Sequence, residues 1–155
     1  MSLAADVLKA AKAKGLRIAT AESCTGGLVA AALTDVAGSS AVFERGFVTY
    51  TNLAKQQMLG VSEQTLEAFG AVSEQVAREM AQGAAQHSGA DLAVSVTGIA
   101  GPGGSEFKPE GRVCFGITLQ TTTVTETVEF GAIGRANVRD AAKNHALSLL
   151  LKHAS

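Results

Sequence analysis

Apolar residues Leu3, Val7, Ala10 and Ala11 recur at helical spacing, with Ser2 placed to cap the run and Gly15 to end it in a left-handed conformation. Leu16 to Thr20 then reads as a short strand, Ala21 to Gly27 as a turn, and Leu28 to Val36 as an apolar helix that Gly38 terminates. Val42, Phe43, Phe47, Val48 and Tyr50 make Ala41 to Tyr50 an extended segment, and a short helix from Asn52 to Leu59 stops at Gly60. Ser62 and Ser73 are both placed as N-caps, and Ser73 with Glu74 opens a helix that reaches about His87 and ends at Gly89. Asp91 to Thr97 forms a buried strand. The run from Gly98 to Gly111 holds five glycines and both prolines of the chain, which makes it a loop. Strands at Val113 to Leu119 and Thr123 to Phe130 follow, then a helix from Arg135 to His153 with Val138, Ala142, Leu149 and Leu150 on its apolar side.

Helices that alternate with the early strands, followed by consecutive strands, predict an α/β chain folded as a three-layer α/β/α sandwich with a mixed, mostly parallel sheet. At 155 residues the chain supports one sizeable core, so a single domain over residues 1–155 is expected. In such sheets ligands bind outside the carboxyl ends of the parallel strands. Two strands end in similar chemistry there: one runs into Glu22, Ser23, Cys24, Thr25, Gly26 and Gly27, the other through Thr97 and Gly98 into the Gly-rich loop.

Thirteen Lys and Arg against fourteen Asp and Glu leave a formal charge of −1, without the basic field that nucleic-acid binding draws on, so neither nucleic acid nor an acidic membrane is expected as a partner. Cys24 and Cys114 show no C-x-x-C spacing, and His87, His145 and His153 form no metal-binding motif, so no metal is expected and the cysteines read as free thiols in a reducing compartment. The N-terminal segment, with three lysines among alanines, lacks the apolar core of a signal peptide, and no apolar run reaches the roughly 18 residues of a membrane span. These features place the protein in the cytoplasm.

Ser23 stands at the mouth of a helix, where unpaired backbone N–H groups and the positive helix end converge. Gly26 and Gly27 permit close approach, so the amides of Cys24, Thr25, Gly26 and Gly27 suit an oxyanion beside the Ser23 hydroxyl; Ser23 or Thr25 equally suits a simple helix cap. No histidine has an apparent link to this turn. Lys55 can serve as base if burial depresses its pKa, and is otherwise a solvated surface lysine. Tyr50 suits a proton relay or substrate orientation, or amphipathic packing, and Cys24 is a rival nucleophile if the helix end lowers its thiol pKa, and otherwise a buried small hydrophobe. The GIAGPGG run from Gly98 to Gly104 lacks the G-K-[ST] ending of a P-loop, while Arg135 and Arg139 suit a phosphate or carboxylate, or plain solvation.

The runs AESCTGG (Ala21 to Gly27), GSSAVFERGFVTY (Gly38 to Tyr50), TNLAK (Thr51 to Lys55), GAVSE (Gly70 to Glu74) and TGIAGPGG (Thr97 to Gly104) together resemble the CinA C-terminal domain family, in the family's order and over nearly the whole chain. That family includes stand-alone nicotinamide-nucleotide amidohydrolases and the C-terminal halves of longer competence-damage-inducible proteins. The length of the chain leads us to expect the stand-alone form. The resemblance implies a three-layer α/β/α fold and hydrolysis of the carboxamide of nicotinamide mononucleotide to nicotinate mononucleotide and ammonia. It implies Ser23 as nucleophile, Lys55 as general base and Tyr50 as a helper in proton transfer, with no cofactor and no task for a metal. Donors for the substrate phosphate are sought at Thr97, Gly98 and Gly101 of the loop and at Arg135. A non-catalytic nucleotide-binding module and an amidase for another amide are the alternatives, and short edge strands with apolar helix faces lead us to expect a homo-oligomer.

Overall fold

The computed structural model describes residues 2–155; Met1, at the head of the amphipathic N-terminal segment, lies outside them. In chain order the elements are α1 (Leu3–Ala13), β1 (Ile18–Glu22), α2 (Leu28–Thr34), β2 (Phe43–Val48), α3 (Asn52–Leu59), α4 (Glu63–Phe69), α5 (Glu74–Ser88), β3 (Leu92–Gly98), β4 (Arg112–Leu119), β5 (Thr122–Glu129) and α6 (Arg135–Ala154), with a single 3-10 turn at Ser39–Ala41 before β2.

The helix starts follow from local chemistry. Ser2, Thr51, Ser62 and Ser73 each accept a hydrogen bond from the backbone N–H three residues on, which satisfies one of the donors a helix leaves unpaired. The cap at Ser62 was legible but the helix behind it was not, because α4 has seven residues with Leu66 as its buried residue and shows no periodicity. Two expected boundaries move. β1 begins and ends two residues later than expected, and all five of its residues are buried, Glu22 included. α2 stops at Thr34, and Gly38 instead starts the 3-10 turn with φ +87°.

The sheet has the order β2-β1-β3-β4-β5. β1 lies parallel to both β2 and β3, whereas β4 runs antiparallel to β3 and β5 antiparallel to β4, so four of the five strands share one direction. Helices α1, α2 and α6 cover one face and α3, α4 and α5 the other, giving the three layers expected from the alternation. On the α6 side the core is bulky and branched, with Ile18, Val29, Val94, Val96, Phe115 and Leu150. On the α5 side the sheet presents Ala19, Ala21 and Ala93, and a Cβ at Gly116 would meet the Ala77 carbonyl oxygen of α5. Small residues there let α5 lie close on the sheet. Through this packing the carboxyl ends of β1, β2 and β3 share one edge: Glu22 pairs with Val48 on one side and Val96 on the other.

Candidate active site

The parallel ladder continues one step past β1, and that step assembles the site. The Ser23 N–H donates to the Val96 carbonyl and the Thr49 N–H to the Glu22 carbonyl, both at 2.9 Å, which draws Ser23 between the ends of β2 and β3. Thr51 then turns the chain into α3, whose inward face carries Lys55 and, one turn on, Leu59. Lys55 is 1% exposed, the largest fully buried side chain of the core. Its Nζ lies 3.1 Å from Ser23 Oγ, 3.1 Å from the Thr49 carbonyl oxygen and 3.2 Å from the Tyr50 carbonyl oxygen.

Those three contacts set the chemistry. An ammonium can donate to all three oxygens, whereas a neutral amine has two hydrogens for the two carbonyls, which turns its lone pair toward the serine hydroxyl. Burial pushes the Lys55 pKa from 10.5 down to about 8, against the opposing charges of Cys24 and Glu106. Roughly a tenth of the molecules then hold the neutral amine at pH 7. The same burial pushes the Cys24 thiol up to about 11, so of its two readings the structure favours the buried small hydrophobe over the rival nucleophile.

Ser23 and Thr25 are not the caps of α2. The capping position is Gly27, which has no side chain to offer, and the first-turn amides of Val29 and Ala30 donate instead to the Glu22 carboxylate at 2.9 and 3.0 Å. The Thr25 hydroxyl donates to the same carboxylate at 2.6 Å. Glu22 therefore does the capping from inside the core, and the Ser23 hydroxyl instead accepts from Lys55 and donates to the Tyr50 carbonyl at 3.4 Å. From the other side Arg139 donates to the Cys24 and Thr25 carbonyls at 3.1 and 3.3 Å, clamping the turn. The Gly26 N–H is donated to the Ser23 carbonyl at 3.0 Å.

A cleft of about 310 Å³ opens over this floor. Ser23, Cys24, Tyr50, Lys55, Thr97, Gly98, Gly101 and Arg135 all line it, whereas Thr25, Gly26 and Gly27, expected beside the oxyanion, do not. The Thr97 hydroxyl donates to the Ala71 carbonyl at 2.8 Å, tying the end of β3 to the turn before α5. A Cβ at Gly98 would sit 2.7 Å from Val113 Cγ2 and 3.1 Å from Cys24 Sγ, so glycine is what lets the loop pass the turn. At the rim, Arg135 donates to the Tyr50 hydroxyl at 2.9 Å and to the Gly101 carbonyl at 2.7 Å. Tyr50 thus faces Lys55 with its main-chain carbonyl and Arg135 with its phenol.

Sequence reasoning missed Glu22, Asn52 and Glu106 as site residues, and Arg139, expected at a phosphate or carboxylate or in solvent, is instead spent on the Cys24 and Thr25 carbonyls. Arg135 and Arg139 sit one helical turn apart at the start of α6, a spacing that marks a shared face. Glu22 carried no such signal because the strand was expected to end before it. None of the three histidines lines the cleft. His145 pairs with Glu126 and packs against Phe115, while His87 and His153 each contact a carbonyl of their own helix. Among the described residues no group of His, Cys, Asp and Glu is arranged to hold a metal ion, and no helix is long and apolar enough to cross a membrane.

The profile described as the CinA C-terminal domain matches residues 1–154. The chain belongs to the CinA C-terminal domain family. Within the CinA relatives it is 54% identical over 152 residues to the nicotinamide-nucleotide amidohydrolase PncC of Escherichia coli K12, covering 97% of this chain and 92% of that protein. It is 51% identical over 147 residues to a CinA-like protein of Chloroherpeton thalassium, covering 90% of this chain but 35% of that longer one. The solved competence/damage inducible protein CihA of Agrobacterium tumefaciens superposes with a TM-score of 0.95 at 50% identity, covering 99% of this chain and 94% of that one.

Proposed function

We propose that this CinA-family domain hydrolyses the carboxamide of nicotinamide mononucleotide through a Ser23–Lys55 pair. The observation that carries the reading is the buried Lys55 amine 3.1 Å from the Ser23 hydroxyl at the floor of an open cleft. The substrate class comes from similarity to the E. coli amidohydrolase.

Neutral Lys55 takes the hydroxyl proton as Ser23 Oγ bonds to the amide carbon, and the carbonyl oxygen becomes an oxyanion beside the amide of Cys24, the residue of the Cys24 to Gly27 run that lines the cleft. The protonated lysine gives its proton to the nitrogen, the C–N bond breaks and ammonia leaves. Water then attacks the acyl ester, Lys55 accepts its proton and returns it to Ser23 Oγ, and nicotinate mononucleotide is released. Glu22 and Arg139 hold the turn so that the nucleophile meets the carbonyl without reorganisation. Arg135 with the Thr97 to Gly101 segment takes the phosphate, and Tyr50 orients the nucleotide at the rim. No step of this scheme assigns a task to a metal.

Ammonia release from nicotinamide mononucleotide, with and without chelator, tests the reading beside Ser23→Ala and Cys24→Ala. Activity indifferent to chelator, lost in the serine variant and kept in the cysteine variant is expected. A Ser23→Ala protein that melts normally yet keeps its turnover refutes the nucleophile.

A further inference from the structure

The cleft that holds Arg135 is also lined by an acidic residue that the scheme above does not use. Glu106 lines the cleft, and its charge reaches Lys55. It sits in a two-residue turn closed on both sides by backbone hydrogen bonds, Ser105 N–H to Lys108 carbonyl at 3.0 Å and Lys108 N–H to Ser105 carbonyl at 2.8 Å. Both central residues, Glu106 (φ +52°) and Phe107 (φ +63°), occupy the left-handed region that glycine or asparagine usually fills. Holding two such residues there is costly, and strain of this kind gathers at ligand clamps.

The carboxylate lies beside Gly70, near the Lys108 ammonium but in no ion pair with it. The neighbouring Lys108 ammonium is committed to the Phe69 and Val72 carbonyls at 2.6 Å each, and none of the ion pairs among the described residues includes Glu106. Arg135 likewise contacts a phenol and a carbonyl but no carboxylate. Besides Lys55 at its floor, the cleft therefore carries a cation, Arg135, and an anion, Glu106, on separate elements and outside every ion pair among the described residues. A single carboxylate among carbonyls is too sparse for a metal, but it suits an organic cation with diffuse charge. Glu110, the other acid of the loop, is spent on the Gly103 N–H at 2.6 Å.

We propose that Glu106 is a specificity-determining residue that selects amides borne on a positively charged aromatic ring, while Arg135 takes the anionic end of the same molecule. This rests on the amidohydrolase reading. A pyridinium nucleotide has that charge pattern, with a fixed cation in the ring that bears the amide and a phosphate at the far end. Hydrolysis puts a carboxylate on the ring, whose repulsion by Glu106 favours product release.

The probe pair is nicotinamide mononucleotide and its dihydro form, which keeps amide, ribose and phosphate but has a neutral ring. Turnover of the first and competitive inhibition by the second are measured in wild type, in Glu106→Gln and in the exposed control Glu67→Gln. Glu106→Gln should raise the KM for nicotinamide mononucleotide roughly three- to fivefold, the scale of a solvent-screened charge pair. Measured at pH 9, above the Lys55 limb, its kcat and the inhibition constant of the dihydro form should stay unchanged, and Glu67→Gln should behave as wild type. The proposal falls if Glu106→Gln shifts neither constant, or shifts both equally as a disturbed loop would. Wild-type protein that releases no ammonia removes the amidohydrolase reading and this proposal with it, whereas active wild type with an indifferent Glu106→Gln removes this proposal alone.

Discussion

Replacing Lys55 with methionine removes a titrating amine from the core while retaining an unbranched side chain, and its effect on stability has a pH dependence that the structure dictates. The lysine pKa falls from 10.5 in the unfolded chain to about 8 in the folded one because burial strips the ammonium of water. Below pH 8 both states hold the proton, and folding bears the full burden of burying the charge, about 3 kcal/mol at 1.36 kcal/mol per pKa unit. Between pH 8 and 10.5 the folded protein has shed the proton and the unfolded chain still binds it. Wild-type stability from this group therefore rises with pH through that window. Methionine has no such term, though it leaves the Thr49 and Tyr50 carbonyls without their donor at every pH. Urea unfolding of both proteins at pH 7 and pH 10 separates the two effects. The lost hydrogen bonds offset the curves by a constant, and the titration makes wild type gain roughly 2–3 kcal/mol on the variant between the two pH values. All other ionisable groups are common to both proteins and cancel in the difference. A stability difference that stays the same from pH 7 to pH 10 would show that Lys55 titrates normally, and the base assignment would lose its physical footing.

Two further outcomes follow from the same site. Lys55→Arg should be inactive across the pH range, because a guanidinium stays protonated, while wild-type kcat/KM climbs through a limb near pH 8; substantial ammonia release by the arginine variant would refute a base at this position. Glu22→Gln should lower stability by about 1–3 kcal/mol, since an amide offers one acceptor where the carboxylate serves Thr25, Val29 and Ala30, and a melting temperature equal to wild type would show that the buried cap is dispensable.

The chain order of helices and strands, the capping serines and the layered architecture were legible along the chain because each rests on local preferences: periodicity, caps and turn residues act within a few positions. The motifs around Ser23, Tyr50, Lys55 and Thr97 were legible for the same reason, as compact runs of residues. What remained hidden were relations between distant positions. Whether Lys55 is a solvated lysine or a buried amine depends on α3 folding its first turn under the ends of β1 and β2, and α3 has no apolar residue at that position to announce it. Cys24, before a helix, suited either an activated thiol or a buried small hydrophobe, and the packing around it, Gly98 included, desolvates the thiol and decides for the second. Glu22 fell outside the expected strand because a carboxylate in a core is unfavourable alone; only the α2 amides and Thr25, brought to it by the fold, make its burial tolerable. Local sequence determined which elements form and where the reactive residue types lie. Tertiary structure decided their protonation and partners, because both depend on water excluded and dipoles supplied by residues far away in the chain.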